Sequence, residues 1–133
     1  MLINNCLSTI KTSKEYPACK SLYLNAASIV SYENVIEEIA GALGKKSNST
    51  SNMVQAIGKT LKRKNTTPLI LVIDEIDFLP ANYERSKSKK ASHMDIVFQW
   101  AAQIEFALTV ICISNSVGDN FAKTFHKMVK VNY

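Results

Sequence analysis

Glycine and proline are scarce in this chain, 4 and 3 of its 133 residues, and only Arg63 and Arg85 among its 16 basic residues are arginine. So few chain-breaking residues exclude a collagen-like or low-complexity chain, and 47% hydrophobic against 20% charged residues excludes a disordered one. No apolar run reaches the ~18 residues of a membrane-crossing helix. Metal-binding spacings are lacking too. The three cysteines, Cys6, Cys19 and Cys112, are odd in number, far apart and in no C-x-x-C, which argues against a disulfide framework or a zinc site and fits a reducing compartment. In such a compartment the sequons at Asn48 and Asn65 carry no weight. His93 and His126 read as structural or surface residues. The opening Met1-Leu2-Ile3-Asn4-Asn5 has no basic stretch ahead of an apolar one, so a secretion signal is not expected. The length is that of one domain or part of one. A net charge of +5 permits nucleic-acid or acidic partners without requiring them.

What is present is an alternation of helical and strand periods, with no internal repeat. That alternation is the mark of an α/β layer fold. Residues 2–13 carry a helical stripe of Leu2, Ile3, Cys6, Leu7 and Ile10. Ser21 to Ala26 reads as a short strand after Pro17. Ser31 is placed as an N-cap, Val35, Ile36, Ile39, Ala40 and Leu43 form the following helical stripe, and Gly44 is placed to end it. A polar loop over 45–52 leads to a second amphipathic helix through Met53, Val54, Ile57 and Leu61. Leu69-Ile70-Leu71-Val72-Ile73 suits a strand buried on both faces, as in a parallel sheet covered by helices. Residues 80–93 read as a basic loop, Met94 to Phe106 as a helix, Leu108 to Ile113 as another apolar strand, and 127–133 as a last one.

Asp74 and Glu75 follow the aliphatic run directly, at the end where parallel α/β sheets present ligands. Acids there need compensation, which a hydrated magnesium ion beside a nucleotide phosphate supplies. The pair also divides labour: Asp74 can hold the metal's water shell while Glu75 orients an attacking water. Asn115, after the next apolar strand, is a neutral group able to sense a terminal phosphate. The plainer alternative is that both acids merely cap a helix or face solvent.

At these residues the chain resembles a known family. Leu71-Val72-Ile73-Asp74-Glu75-Ile76-Asp77-Phe78-Leu79 is similar to the Walker B segment of AAA+ ATPases, in the extended form of the origin-recognition and cell-division-control initiators. Asn5 to Ile10 resembles the helix after the family's phosphate loop, Leu22-Tyr23-Leu24-Asn25 its second strand, Phe98-Gln99-Trp100 its phenylalanine-x-tryptophan helix, and Ile111 to Ser116 its sensor-1 strand. The resemblance implies a three-layer P-loop NTPase core with a parallel sheet. It further implies ATP and magnesium as cofactors, with Asp74 on the metal through water, Glu75 catalytic and Asn115 on the nucleotide. A nuclear role (cytoplasmic outside eukaryotes) in DNA replication initiation is implied as well, with origin DNA, the replicative helicase and sister AAA+ subunits as partners.

The departures from that family are equally specific. A phosphate loop needs G-x-x-x-x-G-K-[ST] between a strand and a helix. The only G-K-T here, Gly58-Lys59-Thr60, reads as mid-helix, with Met53 where the first glycine belongs. The loop and the strand before it are therefore expected to lie ahead of residue 1, making 1–133 a partial core without lid or winged helix. No arginine follows Arg85, so an arginine finger is absent and hydrolysis by this chain alone is not expected. Two other readings remain open: a non-catalytic AAA+-like scaffold, and a small basic nucleic-acid-binding module. Lys59, Lys62, Arg63 and Lys64 read as a solvated helix face with DNA contact as the alternative, and Arg85, Lys87, Lys89 and Lys90 as a solvated loop, with a nuclear-localisation or phosphate-contact patch as the alternative. Trp100 reads as core rather than a base-stacking platform. With its central strand missing, the sheet would expose an edge at Leu108 to Ile113, to be closed by Met128-Val129-Lys130-Val131 or by another chain, and self-association through it is expected.

Overall fold

A computed structural model of the chain describes residues 2–12, 18–29, 31–79 and 93–115. The expected last strand over 127–133, the basic loop with Arg85, Lys87, Lys89 and Lys90, and Ser116 and His126 all lie outside the described residues. Within them, four helices and three strands follow one another: α1 (Leu2–Thr12), β1 (Lys20–Asn25), α2 (Tyr32–Ala42), α3 (Thr50–Leu61), β2 (Leu69–Asp74), α4 (His93–Ala102) and β3 (Leu108–Cys112). Short 3-10 turns, Ala26–Ser28 and Ile76–Phe78, carry the chain off the ends of β1 and β2. No helix among the described residues is long and apolar enough to cross a membrane.

The sheet is parallel throughout, in the order β1-β2-β3. Parallel neighbours need long crossovers; α2 and α3 lie in the first and α4 in the second. The register sets Leu22 beside Leu71 and Leu71 beside Val110. Leu69, Leu71 and Ile73 of β2 share one cluster with Tyr32, Ile36 and Ile39 of α2, Met53, Ile57 and Leu61 of α3, and Met94, Val97 and Trp100 of α4. These three helices thus form a layer on one face of the sheet. Val72 points to the other face and is also fully buried, outside that cluster. The five aliphatics of β2 are accordingly shielded on both faces, Ile70 in part, as their unbroken run implies.

Local signals explain the element ends. Ser49 caps α3, its hydroxyl accepting the Asn52 N–H at 3.4 Å. Ser31 holds the N-cap position of α2, but its hydroxyl goes to Asn34 Oδ1 at 3.2 Å, not to a main-chain N–H. Gly44, at φ 68°, ends α2 in a left-handed turn that a side chain would strain. The Lys45 N–H then reaches back to the Ala40 carbonyl at 2.7 Å and the Gly44 N–H to Gly41 at 3.2 Å, satisfying two orphan acceptors. In α1 the helical period holds, yet only Leu7 of the stripe is buried: Leu2 is 79% exposed, and no residue of the stripe belongs to the main cluster. Trp100 is core as expected, stacked on Phe106 with ring centroids 6.0 Å apart and facing Gly58.

Both outer edges of the sheet are open among the described residues. Leu69 N–H bonds the Ala107 carbonyl and Ile113 N–H the Ile73 carbonyl, so alternation turns the main-chain groups of Leu108, Val110 and Cys112 away from β2. None of these three has a hydrogen-bond partner on that side.

Two outcomes follow for the fold. Leu71→Ala removes a fully buried side chain from the central strand and should cost about 2–5 kcal/mol in denaturant unfolding. The isolated chain should self-associate with rising concentration in light scattering. Val110→Pro, which removes an outward N–H and leaves the β2 ladder intact, should reduce that association; a variant associating as strongly as the parent would exclude the β3 edge.

Candidate functional site

β1 and β2 end in register, Asn25 beside Asp74, and each strand breaks into a 3-10 turn at the same level of the sheet. Asn25 Oδ1 caps the first turn by accepting the Ala27 N–H at 2.9 Å. The second turn begins at Glu75, which sits at φ 52°, ψ 44°, a left-handed conformation that costs a non-glycine residue of order 1–2 kcal/mol. Ile76 and Leu79 plunge back into the core, and the buried Tyr32 hydroxyl of α2 donates to the Leu79 carbonyl at 3.1 Å. The turn is thus fixed from below by apolar contacts and from the side by α2.

Asp74 is held at both oxygens. Oδ1 accepts the Glu75 N–H at 2.8 Å, and Oδ2 accepts the phenolic O–H of Tyr23. Tyr23 lies on β1 opposite Val72, one alternation short of the strand end, so its ring shares the Asp74 face and reaches it diagonally. The bond to the Asp74 carboxylate raises the Tyr23 phenol above its ordinary 10.0. Each Asp74 oxygen still has a lone pair free. Both acids are half-buried, open enough to meet a ligand.

β3 delivers its end to the same place. The Ile113 N–H bonds the Ile73 carbonyl at 2.9 Å, and the Ile113 carbonyl accepts the Ile76 N–H at 2.9 Å, stitching β3 to the acidic turn from both sides. Ser114 Oγ donates to Asp77 Oδ1 at 3.4 Å. The structure therefore brings the Asp74–Glu75 pair beside the segment carrying Asn115. Asn115 itself is exposed and makes no hydrogen bond to either carboxylate.

Gly58-Lys59-Thr60 forms the last turn of α3, with Thr60 Oγ1 bonded to the Ala56 carbonyl at 2.8 Å, and is no anion cradle. Lys62 is tied to Glu105 at 3.3 Å and lies 4.8 Å from the Phe106 ring centroid, so it belongs partly to the fold. Lys59, Arg63 and Lys64 are exposed. Cys112 counts among the exposed residues, yet desolvation pushes its thiol up to about 11, which leaves it protonated and unreactive at neutral pH.

Among the described residues no group of three or more His, Cys, Asp or Glu could hold a metal unaided. Magnesium does not require one, since it keeps most of its waters and takes one or two carboxylates plus phosphate oxygens. Asp74, with one lone pair left on each oxygen, fits that requirement; a metal cage made only of protein groups does not fit. Tyr23 and Asp77 are the site residues that sequence reasoning missed. The available signal for Tyr23 was its place on the Asp74 face once both strand ends are aligned.

No protein-family model matches the chain, and no curated protein is significantly similar to it.

Three measurements follow. The difference between the absorbance titrations of the chain and of Tyr23→Phe should show a phenol ionising above pH 10, and Asp74→Asn should return it toward 10. Because the folded value is raised, the stability from this bond is complete below pH 10 and lost as pH climbs through the raised value; Tyr23→Phe should flatten that loss in alkaline melts. Glu75→Gly relieves the left-handed strain and should hold or raise stability by up to ~1 kcal/mol, whereas a clear drop would show that the carboxylate itself supports the turn.

Proposed function

We propose that this chain is part of an AAA+ ATPase core of the origin-recognition and cell-division-control type. In this reading it supplies the Walker B acids Asp74 and Glu75 and the sensor-1 residue Asn115. The carrying observation is the acidic pair at the carboxyl end of the central parallel strand, with the Asn115 segment stitched beside it. The strand order and the closing of β1 and β2 by turns at the same end agree with a three-layer nucleotide-binding core. Asp74 would hold the water shell of a magnesium ion, which neutralises phosphate charge when bound. Tyr23 and the Glu75 N–H orient the Asp74 carboxylate for that task, and Glu75, held out of the strand by its left-handed turn, would align a water. Asn115, exposed at the next strand end, would meet the terminal phosphate. The implied setting is DNA replication initiation in the nucleus, with sister AAA+ subunits, origin DNA and the replicative helicase as partners.

A non-catalytic scaffold is the second reading, favoured by one observation: the described residues contain no loop to wrap phosphates, the sole G-K-T being helical. A basic nucleic-acid module, using Lys59, Arg63 and Lys64, is the weaker rival because Lys62 is already engaged.

Binding of a fluorescent ATP analogue separates them. Magnesium-dependent binding should be weakened by Asp74→Asn and spared by Glu75→Gln, and the chain alone should hydrolyse ATP no faster than buffer. No nucleotide binding under any condition would favour the scaffold, and salt-dependent DNA binding indifferent to nucleotide would favour the module. Equal losses of nucleotide binding in both variants would contradict the division of roles.

A further inference from the structure

The opposite edge of the sheet, along β1, is bordered by a groove that meets the acidic site only at Tyr23 and Asn25. The Lys20 N–H bonds the Pro68 carbonyl at 2.8 Å, which fixes the alternation: Lys20, Leu22 and Leu24 turn their main-chain groups toward β2, while Ser21 and Tyr23 turn theirs outward. Among the described residues, neither Ser21 nor Tyr23 has a main-chain hydrogen bond on that outer side. Beside this edge lie two hollows of about 490 and 520 Å³ that share Glu38 and run on from one another between β1 and α2. Their floor is apolar, from Leu22, Leu24, Val35 and Met53, and the Lys46 side chain lies over Gly41, its Cε 3.2 Å from where a Cβ would stand. Their rim carries two acids, Glu37 and Glu38, against one cation, Lys46, an acidic balance in a chain whose net charge is +5.

The geometry points to a peptide-binding groove: an extended segment of a partner protein, with apolar residues alternating with Lys or Arg, adds to the sheet along β1. The open Ser21 and Tyr23 groups give it main-chain hydrogen bonds, its apolar side chains enter the floor, and its cations meet Glu37 and Glu38. A strand of six residues spans about 20 Å, enough for both hollows. A second copy of this chain is a poorer occupant, since its own β1 segment, Lys20–Asn25, offers Glu37 and Glu38 a single cation, Lys20. This inference does not depend on the nucleotide reading.

The test uses the full chain and a fluorescein-labelled peptide of alternating Lys and Val, about eight residues long. Fluorescence anisotropy should show saturable binding. N-methylation of alternate peptide residues, in the frame that faces β1, should weaken it at least about ten-fold, the size of a lost hydrogen bond. A Glu-Val peptide should bind far less. Ser21→Pro, which deletes an outward N–H while sparing the β2 ladder, and Glu38→Lys should each weaken the Lys-Val peptide similarly, whereas Val110→Pro on the far edge should not. Equal binding of parent and N-methylated peptides, or no binding at millimolar peptide, overturns the proposal, and neither result depends on a protein variant folding. Self-association of the chain that is lost on Ser21→Pro would assign the edge to a second copy and overturn it as well.

Discussion

A strand that is shielded on both faces and hydrogen-bonded along both edges has one place available to it, the middle of a covered sheet. β2 is that strand, and the remaining architecture follows from keeping it dry. Parallel neighbours on both sides require two crossovers, and these are the helices that provide the covering layer. Polar side chains can appear on β2 only where the sheet stops. Asp74 stands at that boundary, with a carboxylate whose oxygens are already met by a phenol and a main-chain N–H.

The acidic turn owes its shape to residues that take no part in its chemistry. Ile76 and Leu79 are buried beneath it, Tyr32 secures its far end, and Ile113 binds it on both sides of the sheet end. Held at these points, Glu75 occupies a left-handed conformation that a free chain would leave. The strain is small enough for a well-packed core to carry, and it turns the second carboxylate out of the strand direction taken by the first.

Much of this was legible from residue order. The unbroken aliphatic run of 69–73 marked the buried central strand, and the stripes of α2 and α3 marked the covering helices, because period and burial are local consequences of pattern. The acids at the strand end were legible for the same reason. Tyr23 was not, because its partner lies 51 residues away and the contact depends on a register that only the folded sheet defines. Ser31 was read correctly as the N-cap, while the bond of its hydroxyl to the Asn34 side chain emerged only with the fold. The α1 stripe shows the converse: the right period, with a single buried residue, because periodicity says which face is apolar and not what will cover it.

Trp100 is the chain's only tryptophan, and it sits on α4 wedged between Gly58 of α3 and the Phe106 ring. Its indole therefore looks onto one internal seam, where α3 and the start of β3 close on α4. Intrinsic fluorescence of this protein is in effect a single-site gauge of that seam. A shift of the emission during ligand addition would report that this seam has been disturbed.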